Sequence, residues 1–283
     1  KELRDYSRAW YLIELARACH DEDAYHQAKK NYESAGAILK ELPSYHFEAP
    51  YYFAWAMLED ATQASKEERH VDAAANFETA SEEFDQVSKI LNSAQEKAKS
   101  LNEKNRIRKL EKAARLRKKY SLARAGFEKG SILGKEGKKR DAAREYANSA
   151  LLFEEIYGSY ELSSGKKGYL AIWKHCQALE KMELAEDEND PKWYKEAASL
   201  FEQASDAFSE KKKKLVALGN AAFCKALESG FKSDEIDDTE AKAQLYVKIK
   251  QHLRSAASFY QKCEVTSGPA WALAASAYFD GAW

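Results

Sequence analysis

From residue 51 to residue 125 the chain contains neither proline nor glycine. A β-fold is badly served by such a stretch, because the tight turns between strands draw on those two residues. The segment is instead rich in Ala, Glu, Lys, Gln and Leu, which lose little rotamer freedom in a helix. Nowhere do Val, Ile or Thr alternate with polar residues over the length of a strand. With only 4 Pro and 12 Gly in 283 residues, the same argument extends to the whole chain. The expected fold class is all-α, built of stacked antiparallel helical hairpins in one helical-repeat domain spanning 1–283.

Breakers and polar clusters divide the chain. They predict helices over 3–19, 23–39 and 51–65, with Pro43 and Pro50 bracketing a loop. A long fourth helix starts at Asp72, turns in the polar stretch 100–105 and returns over 107–133. After a turn at Gly134-Lys135-Glu136-Gly137 come a helix over 141–157 and a loop over 158–168. Helices over 169–185, 193–208, 215–227 and 239–265 follow, then a last one from Pro269. Lys211 to Lys214 and the acidic run 234–240 are expected as polar caps and loops, with Asp238-Thr239 starting a helix.

A spacing recurs along these helices. Ala73-Ala74-x-x-Phe77-x-x-Ala80-x-x-x-Phe84 is matched by Ala197-Ala198-x-x-Phe201-x-x-Ala204-x-x-x-Phe208. Ala142-Ala143-x-x-Tyr146-x-x-Ser149-x-x-x-Phe153 repeats it. Ala28-x-x-x-Tyr32-x-x-Ala35-x-x-x-Leu39 and Ala256-Ala257-x-x-Tyr260-x-x-Cys263 are further copies. The small and bulky positions share one helical face, so small residues admit a neighbouring helix and the aromatic fills the space beside them. Tyr32, Phe77, Tyr146, Phe201 and Tyr260 are the expected structural anchors. A second likeness links Ala54-Trp55-Ala56-Met57 with Ala270-Trp271-Ala272-Leu273.

The small–x3–aromatic–x2–small spacing resembles the second helix of a tetratricopeptide repeat. Leu12 to Cys19 running into His20-Asp21-Glu22-Asp23-Ala24-Tyr25 resembles a first helix and its turn. So do Phe127-Glu128-Lys129-Gly130 and Leu218-Gly219-Asn220-Ala221-Ala222. Tetratricopeptide units recur every 34 or so residues, whereas the anchors here lie 45, 69, 55 and 59 residues apart. Long, uneven hairpins are closer to the SNAP-type adaptors, which resemble the same superhelix. The resemblance implies a non-catalytic scaffold or adaptor that binds another protein or a peptide.

The second spacing is the longest, and a heptad seam accounts for it. Phe77, Ala80, Phe84, Val87, Leu91, Ala94, Ala98 and Leu101 alternate by three and four. A return seam runs through Ala113, Leu116, Tyr120, Ala123, Phe127 and Gly130. The segment 72–133 therefore reads as a long projecting hairpin whose first helix is about 45 Å long. Its far end is basic: from Glu96 to Tyr120 there are eleven Lys or Arg against three Glu. Lys104, Arg106, Arg108, Lys109, Arg115 and Lys118 are the candidate partner-binding residues. They form either a docking arm for an acidic protein, an anionic surface or nucleic acid, or a solvated helix face. Only one aromatic, Tyr120, lies among them, so stacking of single-stranded bases finds little support.

Charge and motifs narrow the function. Lys and Arg number 45 against 46 Asp and Glu, so no global field recruits nucleic acid or an anionic membrane. Mean hydropathy is −0.68, and no apolar run approaches the roughly eighteen residues of a membrane span. None of the phosphate-binding, dinucleotide, zinc-protease or nucleophile-elbow motifs occurs, so neither enzyme activity nor a cofactor is expected. His20 and His26 are six apart in an acidic run, a spacing that does not place two metal ligands on one helix face. Cys19, Cys176, Cys224 and Cys263 lie apart, beside apolar residues. They read as small buried side chains in a reducing, cytoplasmic compartment. A start without Met and an end on Trp283 lead to the expectation that this is a piece of a longer chain.

Overall fold

The computed structural model describes residues 1–159, 166–234 and 236–263. Among them all regular structure is helical. The helices are α1 (Glu2–Asp21), α2 (Tyr25–Lys40), α3 (Ala49–Lys66), α4 (His70–Lys97), α5 (Leu101–Lys135), α6 (Lys139–Ser159), α7 (Lys166–Glu188), α8 (Pro191–Ala207), α9 (Lys211–Asp234) and α10 (Thr239–Gln261). A short 3-10 turn, His46–Glu48, leads into α3. None of these helices is long and apolar enough to cross a membrane. Two compact units divide the chain, Lys1–Ile132 and the part from Leu133 onward.

In the first unit α1, α2, α3 and α4 pack each on the next. Their shared core is aromatic: Tyr32 stacks on Tyr52 and Trp55, and Phe84 meets Tyr51 and Trp55 edge-on. Gly36 permits the close approach of α2 and α3, since a Cβ there would stand 2.8 Å from the Phe53 ring. The long hairpin forms from α4 and α5. Ser81 meets the Lys118 carbonyl, Asp85 meets Lys118, and Ser88 meets Glu111. Partners ascend on one helix as they descend on the other, so the pair is antiparallel. In the second unit α6 to α10 again pack in succession. Gly219 does for α9 and α10 what Gly36 does above, with the Tyr260 ring 2.5 Å from where its Cβ would be. The Tyr260 hydroxyl donates to Asn220 at 2.6 Å.

All five anchors are buried, on α2, α4, α6, α8 and α10. Each such burial contributes about 1.5–3 kcal/mol. The turns ahead of three of them are alike in the backbone. Asp23, Glu68 and Gly137 adopt φ of 60°, 58° and 76°. The next residue in each case sends its N–H back five positions, Ala24 to Cys19, Arg69 to Ala64 and Lys138 to Leu133. That is the Schellman closure of a helix. Each left-handed residue lies nine positions before its anchor, Tyr32, Phe77 or Tyr146. The fourth, Asn189 at φ 54°, lies twelve before Phe201.

Several sequence expectations need correction. The break between α4 and α5 falls at 98–100, ahead of the expected stretch 100–105. Ser100 caps α5 by accepting from the Glu103 N–H at 3.1 Å, and the Glu103 carboxylate accepts from Lys99 N–H at 2.8 Å. This Ser-x-x-Glu box starts a helix at Leu101. Lys211 to Lys214 are not a loop but the first turn of α9, whose Lys214 N–H bonds the Glu210 carbonyl. Helix α7 begins at Lys166 and takes in the end of the expected 158–168 loop, while α6 extends into its start. Residues 160–165 of that loop lie outside the described residues. Asp238 does cap α10, accepting from Glu240 and Ala241, but the helix ends at Gln261 rather than 265. The expected helix from Pro269 and the Ala270-Trp271-Ala272-Leu273 likeness lie outside the described residues.

The return seam is also displaced. Of its expected members only Ala123 and Gly130 are buried. The inward face of α5 runs through Ile107, Glu111, Ala114, Ser121, Ala125 and Glu128. Cys176, Cys224 and Cys263 are buried free thiols as expected, but Cys19 is half-buried and accepts from Asn31 at 3.7 Å.

Candidate functional site

The six candidate cations of the long hairpin separate into two groups. Arg106, Arg115 and Lys118 are engaged within the first unit. The Arg106 guanidinium forms an ion pair with the buried Glu48 carboxylate and donates to the Tyr6 hydroxyl at 2.5 Å. It also lies over the rings of Tyr45 and Tyr6, 4.6 and 4.9 Å from their centroids, a cation–π geometry. Burial pushes the Glu48 carboxyl up to about 7, against the pull of Arg106. Arg115 pairs with Glu111. Lys118 reaches Asp85 at 2.6 Å, and its ammonium, with that of Lys89, holds Asp85 down to about 2.

Lys104, Arg108 and Lys109 are exposed and form no ion pair among the described residues. Lys104 and Arg108 are one turn apart, and exposed Lys112 continues the same row. Exposed Lys97 and Lys99, at the end of α4 and in the turn beyond it, stand next to this row in sequence. The outcome is a basic ridge on α5 that the fold does not neutralise. It is flanked by cations that the fold has already used.

Beside the ridge is an open groove of about 1040 Å3 between the segment containing the His46–Glu48 turn and the ends of α4 and α5. Pro43, Tyr45, Phe47 and Pro50 form one wall, and Ile90, Ala94 and Ile107 line the other side. Lys89, Lys97 and Lys99 stand among its lining residues. Sequence reasoning overlooked this groove. Its two walls lie about fifty residues apart in the chain, and the only local sign was the pair of prolines around the loop.

Two other polar clusters are structural. Glu59, fully buried on α3, receives His20 Nδ1 at 3.0 and 2.9 Å. His20, weighed above as a metal ligand with His26, instead bonds a carboxylate across helices. Glu128, buried on α5, accepts from Ser65 at 2.6 Å, meets His70 Nδ1 at 2.7 Å and lies 3.4 Å from Arg124. Here the serine bonds the carboxylate directly and not the imidazole, so the three groups do not form a nucleophile–base–orienter relay. On α7, burial pushes the His175 imidazole down to about 4, beside the rings of Phe201 and Phe208.

No protein-family model, no curated protein and no solved structure matches this chain.

Proposed function

We propose that the protein is a non-catalytic scaffold of tetratricopeptide-like helical repeats. Among such repeats it is of the long, uneven kind similar to the SNAP-type adaptors, and it docks another protein on its long hairpin. The repeat reading is supported by the shared aromatic spacing and by the same left-handed turn nine residues before three anchors. Stacked hairpins of this kind present extended surfaces for partners. Four free thiols suit a reducing, cytoplasmic compartment.

The observation that carries the docking reading is the charge left over on α5. Lys104, Arg108 and Lys109 are exposed and unpaired where their neighbours are neutralised. A partner with acidic side chains would complement them. Nucleic acid is the second reading for the same cations, and the shortage of exposed aromatic rings along the ridge favours protein over it.

Fluorescence anisotropy with labelled poly-L-glutamate and with a single-stranded RNA of matched charge tests the choice. Polyglutamate should bind at low salt and weaken toward physiological salt. The triple variant Lys104→Glu/Arg108→Glu/Lys109→Glu should lose at least about tenfold in affinity. RNA bound more tightly than polyglutamate would favour the second reading. Binding unaffected by the triple variant would remove the ridge from both.

A further inference from the structure

The groove beside the ridge has the composition of a peptide site. Its volume of about 1040 Å3 is at the upper limit of small-molecule pockets. A stretch of polypeptide fills such a space more fully than a metabolite does. Pro43, Pro50, Ile90 and Ala94 give the lining an apolar part among serines and charged side chains. Ile90, one of the lining residues, remains 46% exposed. That exposed aliphatic side chain gives the groove an apolar contact point beside its lysines.

The charges give the occupant its sign. Lys97 and Lys99 line the groove, are exposed and form no ion pair among the described residues. Lys89 is shared with Asp85 at 2.8 Å. The single acidic lining residue, Glu103, is bound to the Lys99 backbone as part of the α5 cap. Two of the three aromatic rings in the lining are already committed. Tyr45 is stacked on Tyr6 with centroids 4.0 Å apart and is covered by Arg106, and Phe47 is buried. Of the lining rings only the small imidazole of His46 is exposed, so the groove lacks the successive stacking platforms of a single-strand nucleic-acid channel. The same stacking holds the groove wall in place before anything binds, which lowers the ordering cost of association.

We propose that this groove is a docking site for an acidic polypeptide segment carrying large aliphatic side chains. The aliphatic groups would lie on Ile90 and Pro43, and the carboxylates on Lys97 and Lys99. The proposal rests on the scaffold reading above and gives it a second, more selective contact.

The test is anisotropy with a fluorescein-labelled peptide of alternating Glu and Leu, titrated with the full chain. The wild type should bind it, and a Glu–Ser peptide of equal charge should bind at least about tenfold more weakly. Ile90→Glu and Lys97→Glu/Lys99→Glu should each weaken the Glu–Leu peptide by about tenfold or more. All three residues are partly or fully exposed, and an unchanged far-UV circular dichroism spectrum checks that these variants remain folded. Equal binding of the two peptides, or full binding by both groove variants, overturns the groove proposal. If Lys104→Glu/Arg108→Glu/Lys109→Glu then abolishes binding, the scaffold reading survives without the groove. Absence of peptide binding by the wild type, with RNA bound instead, overturns both.

Discussion

Helix α8 packs on α7 and α9, and helix α5 on α4 and α3, yet the two are held by opposite chemistry. Helix α8 turns Tyr194, Ala197, Ala198, Phe201 and Ala204 inward against Ala178 and Ala185 of α7 and Ala221 and Cys224 of α9. Helix α5 turns in Glu111, Ser121 and Glu128 among its alanines. Those carboxylates find Ser88, Arg115, Ser65, His70 and Arg124. An apolar face gains by leaving water, whatever it meets. A polar face gains only when each group meets its own partner in good geometry, and otherwise loses. The first kind of contact tolerates small shifts in position, and the second fixes which helix lies where.

Four measurements would break or sharpen this contrast. The largest effect is expected in α8: Phe201→Ala should cost about 4 kcal/mol in urea unfolding, because a fully buried ring leaves a cavity. A loss under about 1 kcal/mol would mean that this interface does not depend on its aromatic. In α5, Glu128→Ala should cost about 3 kcal/mol by leaving Arg124, Ser65 and His70 without their acceptor. Glu128→Gln, which keeps an acceptor oxygen, should cost less. If Gln and Ala variants proved equal, hydrogen bonding would not be what holds α5.

The third measurement is a pH profile. Glu48 holds its proton in the folded chain up to about 7 because it is buried, whereas the unfolded chain releases it above the ordinary carboxylate value. The folded state therefore binds more protons between about pH 4.5 and 7, and this group's contribution to stability falls as pH rises through that window. The fall should be about 3 kcal/mol, levelling off roughly one unit above the folded value. Glu48→Gln should remove that part of the slope, and an unaltered slope would place the titration elsewhere. The smallest effect is expected at Ser121, whose hydroxyl is buried on α5 with no hydrogen-bond partner among the described residues. Ser121→Ala should change stability by less than about 0.5 kcal/mol, toward the stable side. A loss above 1 kcal/mol or so would show that the hydroxyl is engaged.

The same contrast accounts for what could be read in advance. The inward face of α8 follows from the period of its small and aromatic residues, and so does that of α4 through Phe77, Phe84 and Leu91. On α5 the period was misread, because Leu116, Tyr120 and Phe127 suggest one face while Glu111 and Glu128 are buried on another. Ser65 is 63 residues from Glu128 and Glu48 is 58 from Arg106, so no local pattern shows these pairs. Gly137 was the plainest of the left-handed positions, and Asp23 and Asn189 are of types enriched at positive φ, whereas Glu68 carries no such sign. The Ser100-x-x-Glu103 cap is itself a local sequence signal, and it starts α5 ahead of the polar run.

The order and helical nature of the elements, and the burial of Tyr32, Phe77, Tyr146, Phe201 and Tyr260, were determined by the sequence through breakers and the spacing of apolar side chains. These are local properties, and a helix carries them whatever its neighbours are. Which cations remain free was decided only by the tertiary structure. Arg106 and Arg108 are equivalent in the sequence, yet one is bound by Glu48 and Tyr6 and the other faces water. Charge is neutralised across space by whatever group the fold brings near, and the chain does not record that distance until it is folded.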